Sequence, residues 1–316
     1  TGFGSTGSLY INLQNFINSR DKNLQSQIDL VNLIDSLGGI KVDGTNPTFK
    51  TSEIYLVGHS LGTVAASGAA AVTNQSDSIN DVTATVLYTP ASGITRLLEN
   101  SPEFAPRILA GLSAAGVTQG TQNYETFMRI VQNAIDPADP INLADDLSSS
   151  GQNLMTFNVV GTEDGNGNTL YKSDQVTIIE AAKTQLNDAF PDYLAGGIPL
   201  AEALGATNVV TASSGTNVTA NLAYGTHSMF VLPSENRDIE DATERASDLQ
   251  RQKDAFTEAL FETATFFGGS IGPVDANTGV STSPTPSTQP ILDDRPLPIA
   301  KDVIDNDDSD EFKQLN

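Results

Sequence analysis

The 316-residue chain contains no cysteine, only two histidines, and few cations: 16 Lys plus Arg stand against 39 Asp plus Glu, for a formal net charge of −23. The missing cysteines exclude disulfide staples, thiolate zinc sites and a Cys nucleophile. The missing positive charge argues against a nucleic-acid partner and against adsorption to an anionic membrane, because both would repel the chain at long range. No apolar run reaches the roughly 18 residues a membrane span needs, so no transmembrane segment is expected. The chain opens on Thr1 and lacks a basic stretch followed by an apolar one, so an export signal is expected to have been removed or to lie outside it. What is present is ample apolar material, 38% of residues, enough for one large or two small cores. No internal repeat is visible.

The order of apolar patterns defines an α/β chain. After a glycine-rich loop over 1–8, Leu24, Ile28, Val31 and Leu37 recur at helical intervals and Gly38-Gly39 supplies a terminator. Ile54 to Val57 is short, apolar and partly β-branched, a buried strand, and a helix of small residues follows from Gly62 to Ala71. Further buried strands are expected over Val82 to Tyr88 and Met155 to Val160. Between them lie two helical patterns. One opens on Ser101-Pro102-Glu103 as an N-cap; the other carries Tyr124, Phe127, Met128, Val131 and Ile135 and is stopped by Pro137 and Pro140. Asn208 to Val210 and Val218 to Tyr224 read as a hairpin-like or irregular strand pair. Ser234 to Phe267 reads as one long amphipathic helix with Leu249, Phe256, Leu260 and Phe267 inward. Strand, long helical excursion, strand means a parallel sheet bearing an inserted helical cap. The expected organisation is a core over 1–93 and 151–269, a cap over 94–150, and a solvated acidic Pro/Ser/Asp-rich tail or linker over 270–316.

Gly58-His59-Ser60-Leu61-Gly62 fits G-x-S-x-G and lies between the expected strand and the small-residue helix, the context that gives this pattern meaning. At such a turn the backbone of the central serine is strained, and side chains at the two glycine positions are expected to collide with neighbouring elements. The bend would lift the Ser60 hydroxyl above the sheet edge. It would also aim the Leu61 N–H and the positive end of the following helix at an oxyanion formed on attack. Ser60 then needs a base. His59 is adjacent and must point away, so it is read as packing or hydrogen-bonding within the elbow; His227, after the last strand, is the remaining imidazole. The third member should be a carboxylate after Met155 to Val160. Asp174 is preferred because Val176 would anchor it to the sheet edge, with Asp164 as the alternative acid in an exposed-looking turn. The order Ser, Asp, His is that of the α/β-hydrolases. The Asp164 loop also approaches a calcium-loop pattern but places Thr169 and Gln175 where the turn glycine and bidentate Glu belong, so calcium is unsupported and no cofactor is expected. Asp305, Asp307 and Asp310 read as a solvated charge run.

These motifs together resemble the bacterial extracellular, virulence-factor-type lipases, α/β-hydrolases that include surface lysophospholipases. The resemblance extends over about residues 9 to 268. It rests on Leu9-Tyr10-Ile11-Asn12-Leu13 with Arg20-Asp21, on Asp136-Pro137-Ala138-Asp139-Pro140-Ile141-Asn142, on Ser173-Asp174-Gln175-Val176, on Leu194 to Leu200 and on Gly225-Thr226-His227-Ser228, in that order. It implies hydrolysis of lipid carboxylic esters through an acyl-enzyme on Ser60, by a protein that is secreted or held at the bacterial cell surface. Two departures stand out. Thr63 replaces a frequent glycine, and residues 1–53 leave no room for the several strands and second oxyanion loop that this fold places ahead of its nucleophile. Those N-terminal strands are expected to be missing. The alternatives are a truncated, non-catalytic hydrolase-like binding protein and an acyltransferase or peptidase using the same three residues.

Overall fold

Runs such as Ala84-Thr85-Val86-Leu87-Tyr88, with no exposed position, can only be strands covered on both faces, and that coverage is what parallel sheets require. The computed structural model describes residues 10–12, 15–41, 49–163, 166, 169–179, 195–209 and 217–267. In chain order these form α1 (Phe16–Ser36), β1 (Tyr55–His59), α2 (Leu61–Thr73), β2 (Ala84–Tyr88), α3 (Ile94–Asn100), α4 (Ala105–Ala114), α5 (Gln122–Ile135) and α6 (Ala144–Ser149). There follow β3 (Asn153–Val159), β4 (Thr162–Glu163), β5 (Thr169–Tyr171), α7 (Gly197–Ala203), β6 (Thr207–Asn208), β7 (Val218–Leu222) and α8 (Ala242–Phe266). The central sheet runs β1-β2-β3-β7-β6 with every neighbouring pair parallel, and β4 and β5 form a separate antiparallel pair. The architecture is therefore mixed α/β around a parallel sheet.

The two faces of the sheet follow from the period of two along each strand. Val86, Tyr88, Met155, Phe157, Val159, Ala220 and Leu222 share one core with Met229, Phe230 and the Ala255–Ala259 face of α8. On the other face Leu87 and Leu154 pack against Ala66 and Ala70 of α2 and Leu147 of α6. The small side chains of α2 let that helix lie close to the strands. On its far side Gly68 makes room for Gln27 of α1, since a Cβ at Gly68 would stand 2.1 Å from the Gln27 Cδ. The Gln27 amide donates to the carbonyls of Val64 and Ala138, so an amide joins the aliphatic packing of Ile34 with Ala69 in docking α1.

Several sequence expectations are corrected. The inward residues of α1 include Ser19, Asn23 and Gln27, while Ile28 is exposed. Ser101-Pro102-Glu103 does not cap a helix; α4 begins at Ala105, and Ser101 ends α3 instead. Asn208 and Val218 to Leu222 are not a hairpin, because β6 pairs with β7 in parallel, Thr207 opposite Val218. The last helix starts at Ala242, where the Asp241 carboxylate accepts the Glu244 N–H. Its inward face includes Gln252, Ala255, Ala259, Glu262 and Phe266, while Leu260 faces solvent. The glycine-rich opening, Asp164 and the 270–316 tail lie outside the described residues.

Candidate active site

The strand-to-helix bend at Ser60 is built by the end of β1, the start of α2 and a hydrogen bond from the Ser60 N–H to the carbonyl of Tyr88 on β2. Ser60 has φ 52° and ψ −123°, a conformation that costs roughly 1–3 kcal/mol for a residue with a side chain. Gly58 is needed beneath it: a Cβ there would meet Ala66 Cβ and the Gly62 carbonyl oxygen, both at 2.9 Å. Gly62 is not needed in that way, since a Cβ there meets nothing within 4 Å, which corrects the expectation that both glycines are sterically required. Thr63, the departure from the usual pattern, ties the bend together. Its hydroxyl donates to the Ser60 carbonyl at 2.5 Å and accepts the Ala91 N–H at 3.1 Å. Leu61 is the first residue of α2, where an amide N–H has no intrahelical acceptor and points out of the helix start.

The structure brings Ser60, His227 and Asp174 together. His227 Nε2 lies 2.7 Å from Ser60 Oγ, and its Nδ1 lies 3.0 Å from Asp174 Oδ2. An ionised carboxylate can only accept, so the Nδ1–H donates to Asp174 and Nε2 accepts the Ser60 hydroxyl proton. Asp174 is held where β3 ends: its N–H donates to the Val159 carbonyl. Its Oδ1 accepts the N–H groups of Val176, Thr177 and Ile178, and its Oδ2 accepts the Thr177 hydroxyl at 2.5 Å. Burial pushes this carboxyl up, but the hydrogen bond and charge of His227, with the bonds from Thr177 and Val176, outweigh it and hold the group below its ordinary value. Thr177 was not singled out from the sequence; its place three residues after an Asp is the spacing at which an Asx turn brings a hydroxyl back to the carboxylate.

His59 faces the opposite side of the bend and reaches the base from behind. Its Nε2–H donates to the His227 carbonyl at 2.7 Å, with the two rings 5.1 Å apart. Burial holds the His59 imidazole below its ordinary value and so keeps it neutral, against the raising effect of that backbone bond. Among the described residues there is no cluster of three or more His, Cys, Asp or Glu that would hold a metal ion. Among the same residues no helix is long and apolar enough to cross a membrane. Comparison of the chain with protein-family models, with curated proteins and with solved structures finds no match.

Proposed function

We propose that the protein is a serine hydrolase of carboxylic esters, built on a variant of the α/β-hydrolase fold. The observation that carries this reading is the unbroken hydrogen-bonded line from Ser60 Oγ through His227 to Asp174, at 2.7 and 3.0 Å, on a strained bend beside an unpaired helix start. His227 Nε2 takes the hydroxyl proton as Ser60 Oγ attacks the ester carbonyl. The Leu61 N–H stabilises the oxyanion. On collapse the ester C–O bond breaks and His227 returns the proton to the leaving alcohol. Water, deprotonated by the same imidazole, then attacks the acyl-Ser60 carbonyl; the C–Oγ bond breaks, His227 returns the proton to Ser60 Oγ, and the carboxylic acid is released. Asp174 keeps the imidazole in the required tautomer and balances its positive charge while it holds the proton. No step calls for a cofactor. The resemblance to bacterial extracellular lipases points to lipid esters as substrates. The test is labelling by a fluorophosphonate: the folded protein should react, and Ser60→Ala should abolish the label. An unlabelled, folded wild-type protein refutes the reading.

A further inference from the structure

A cavity opens beside Ser60 and Leu61, walled by Val64 of α2, by Ile94, Leu97 and Leu98 of α3, and by Ile135 at the end of α5. These five wall residues are all buried. Of the polar groups that border it, Asn12, Ser19, Asn23 and Thr177 are engaged within the protein. The Asn23 amide donates to the carbonyls of Tyr10 and Ser19, and the Thr177 hydroxyl donates to Asp174. What enters from Ser60 is therefore hydrocarbon, and the side of the scissile bond that meets Ser60 and an apolar wall at once is the acyl side.

The space is small, about 90 Å³. A dry cavity of about 150 Å³ takes one benzene with its six carbons, so this one has room for about three to four methyl or methylene groups. Nor is the side of the wall built by α3 and α5 free to retreat. The start of α3 is clamped by Asp139, which is fully buried and accepts the N–H groups of Gly93 and Ile94 at 2.9 and 2.7 Å. Gln132 of α5 donates to the same carboxylate at 3.1 Å, so the two helices that close the cavity share one anchor. Enlarging it on that side means breaking these buried hydrogen bonds in a place without water to replace them.

Resting on the ester-hydrolase reading, we propose that the acyl half of the substrate is short and unsubstituted, about three to five carbons counting the carbonyl, with the alcohol half lying on the open side of Ser60. This is narrower than the fatty-acyl esters that the resemblance implies. The discriminating experiment is a chain-length series of p-nitrophenyl esters on the whole protein. Each methylene that fits should raise kcat/KM by about 10-fold, to a maximum at about four carbons, with a fall of roughly 100-fold by about twelve. Leu98→Ala and Ile135→Ala, on different helices, should each deepen the cavity and move that maximum upward by about two carbons. A maximum at about eight carbons or beyond in the unaltered protein overturns the proposal while leaving a hydrolase. A maximum that both folded variants leave unmoved overturns the assignment to this cavity. No turnover of any ester, together with no fluorophosphonate labelling, removes the hydrolase reading and this proposal with it.

Discussion

His59 Nε2 lies 2.7 Å from the carbonyl oxygen of His227, so the residue beside Ser60 grips the backbone of the histidine whose ring meets the Ser60 hydroxyl. Side chains at this position of the bend point away from the serine, and here that direction leads to the loop carrying the second imidazole. The bend and the histidine loop are thereby fastened at two points, one through Ser60 Oγ and one through His59.

His59→Leu should lower kcat by about 10- to 100-fold, because a base displaced by a fraction of an ångström loses near-attack geometry, while KM stays within about 2-fold. His59→Gln, which keeps a donor at similar reach, should recover most of the loss. Because the folded imidazole is held below its ordinary value, the unfolded chain takes up the proton first as pH falls. The contribution of a neutral His59 is thus complete above about pH 6.5 and declines below it. Steady-state kinetics of both variants, with thermal denaturation of the wild type from pH 8 to 5, provide the check.

Asp174→Asn should reduce kcat by about 10⁴-fold through loss of the tautomer that leaves Nε2 free to accept, and Thr177→Val should cost far less, since three backbone N–H groups still hold the carboxylate. The folded carboxyl lies below its ordinary value, so its stabilising contribution is present above the unfolded value of about 3.9 and disappears as pH drops through the lower folded one. Single-turnover kinetics together with acid titration of the folded state test both statements.

The two glycines of the bend should respond in opposite directions. Gly58→Ala forces a Cβ against Ala66 and the Gly62 carbonyl at 2.9 Å, and should destabilise by about 1–3 kcal/mol. Gly62→Ala enters open space within α2 and should be neutral or stabilise by up to about 1 kcal/mol. Urea unfolding of the two variants decides the matter; equal losses would contradict the close approach assigned to Gly58.

Glu262 on the inward face of α8 is 1% exposed, and its Oε2 has no hydrogen-bond partner among the described residues. Burial, and then the nearby Glu258 carboxylate, push it up to about 7 from 4.5. The folded state therefore keeps a proton that the unfolded state releases, and stability declines as pH rises from 4.5 through 7. Glu262→Gln should raise Tm at pH 8 and leave it unchanged near pH 4.5, which calorimetry at the two pH values will measure.

The inner strands were legible because their coverage on both faces wrote itself as short uninterrupted apolar runs, expected over Val82 to Tyr88 and Met155 to Val160 and found as Ala84–Tyr88 and Asn153–Val159. Ile54 to Val57, expected to be a buried strand, instead leads into the edge strand β1, where Tyr55 and Val57 are 40% and 50% exposed because, among the described residues, one flank of the sheet ends there. Ser60 and His227 were legible through scarcity and local context, and Asp174 through the apolar anchor behind it. The inward face of α1 was legible only in part: of the spaced residues Val31 and Leu37 pack around Ile34, whereas Ile28 is exposed and Gln27 fills the space that Gly68 leaves empty, a fit between two helices that neither segment reveals alone. The parallel pairing of β6 with β7 escaped for a similar reason: two short apolar stretches in sequence say nothing about strand direction. In α8, Leu260 was expected inward and Glu262 was not, because two residues along a helix turn it by more than half a circle and the sheet selected the side bearing small residues.

The hydroxyl and the imidazole that meet at 2.7 Å are 167 positions apart in the chain. In the sheet β2 and β3 stand between β1 and β7, so the meeting of hydroxyl and imidazole waits on three parallel, non-local pairings, the slow kind of contact in folding. A reagent that consumes only the assembled pair would therefore act as a clock for sheet assembly, starting not when helices appear but when β7 is seated against β3.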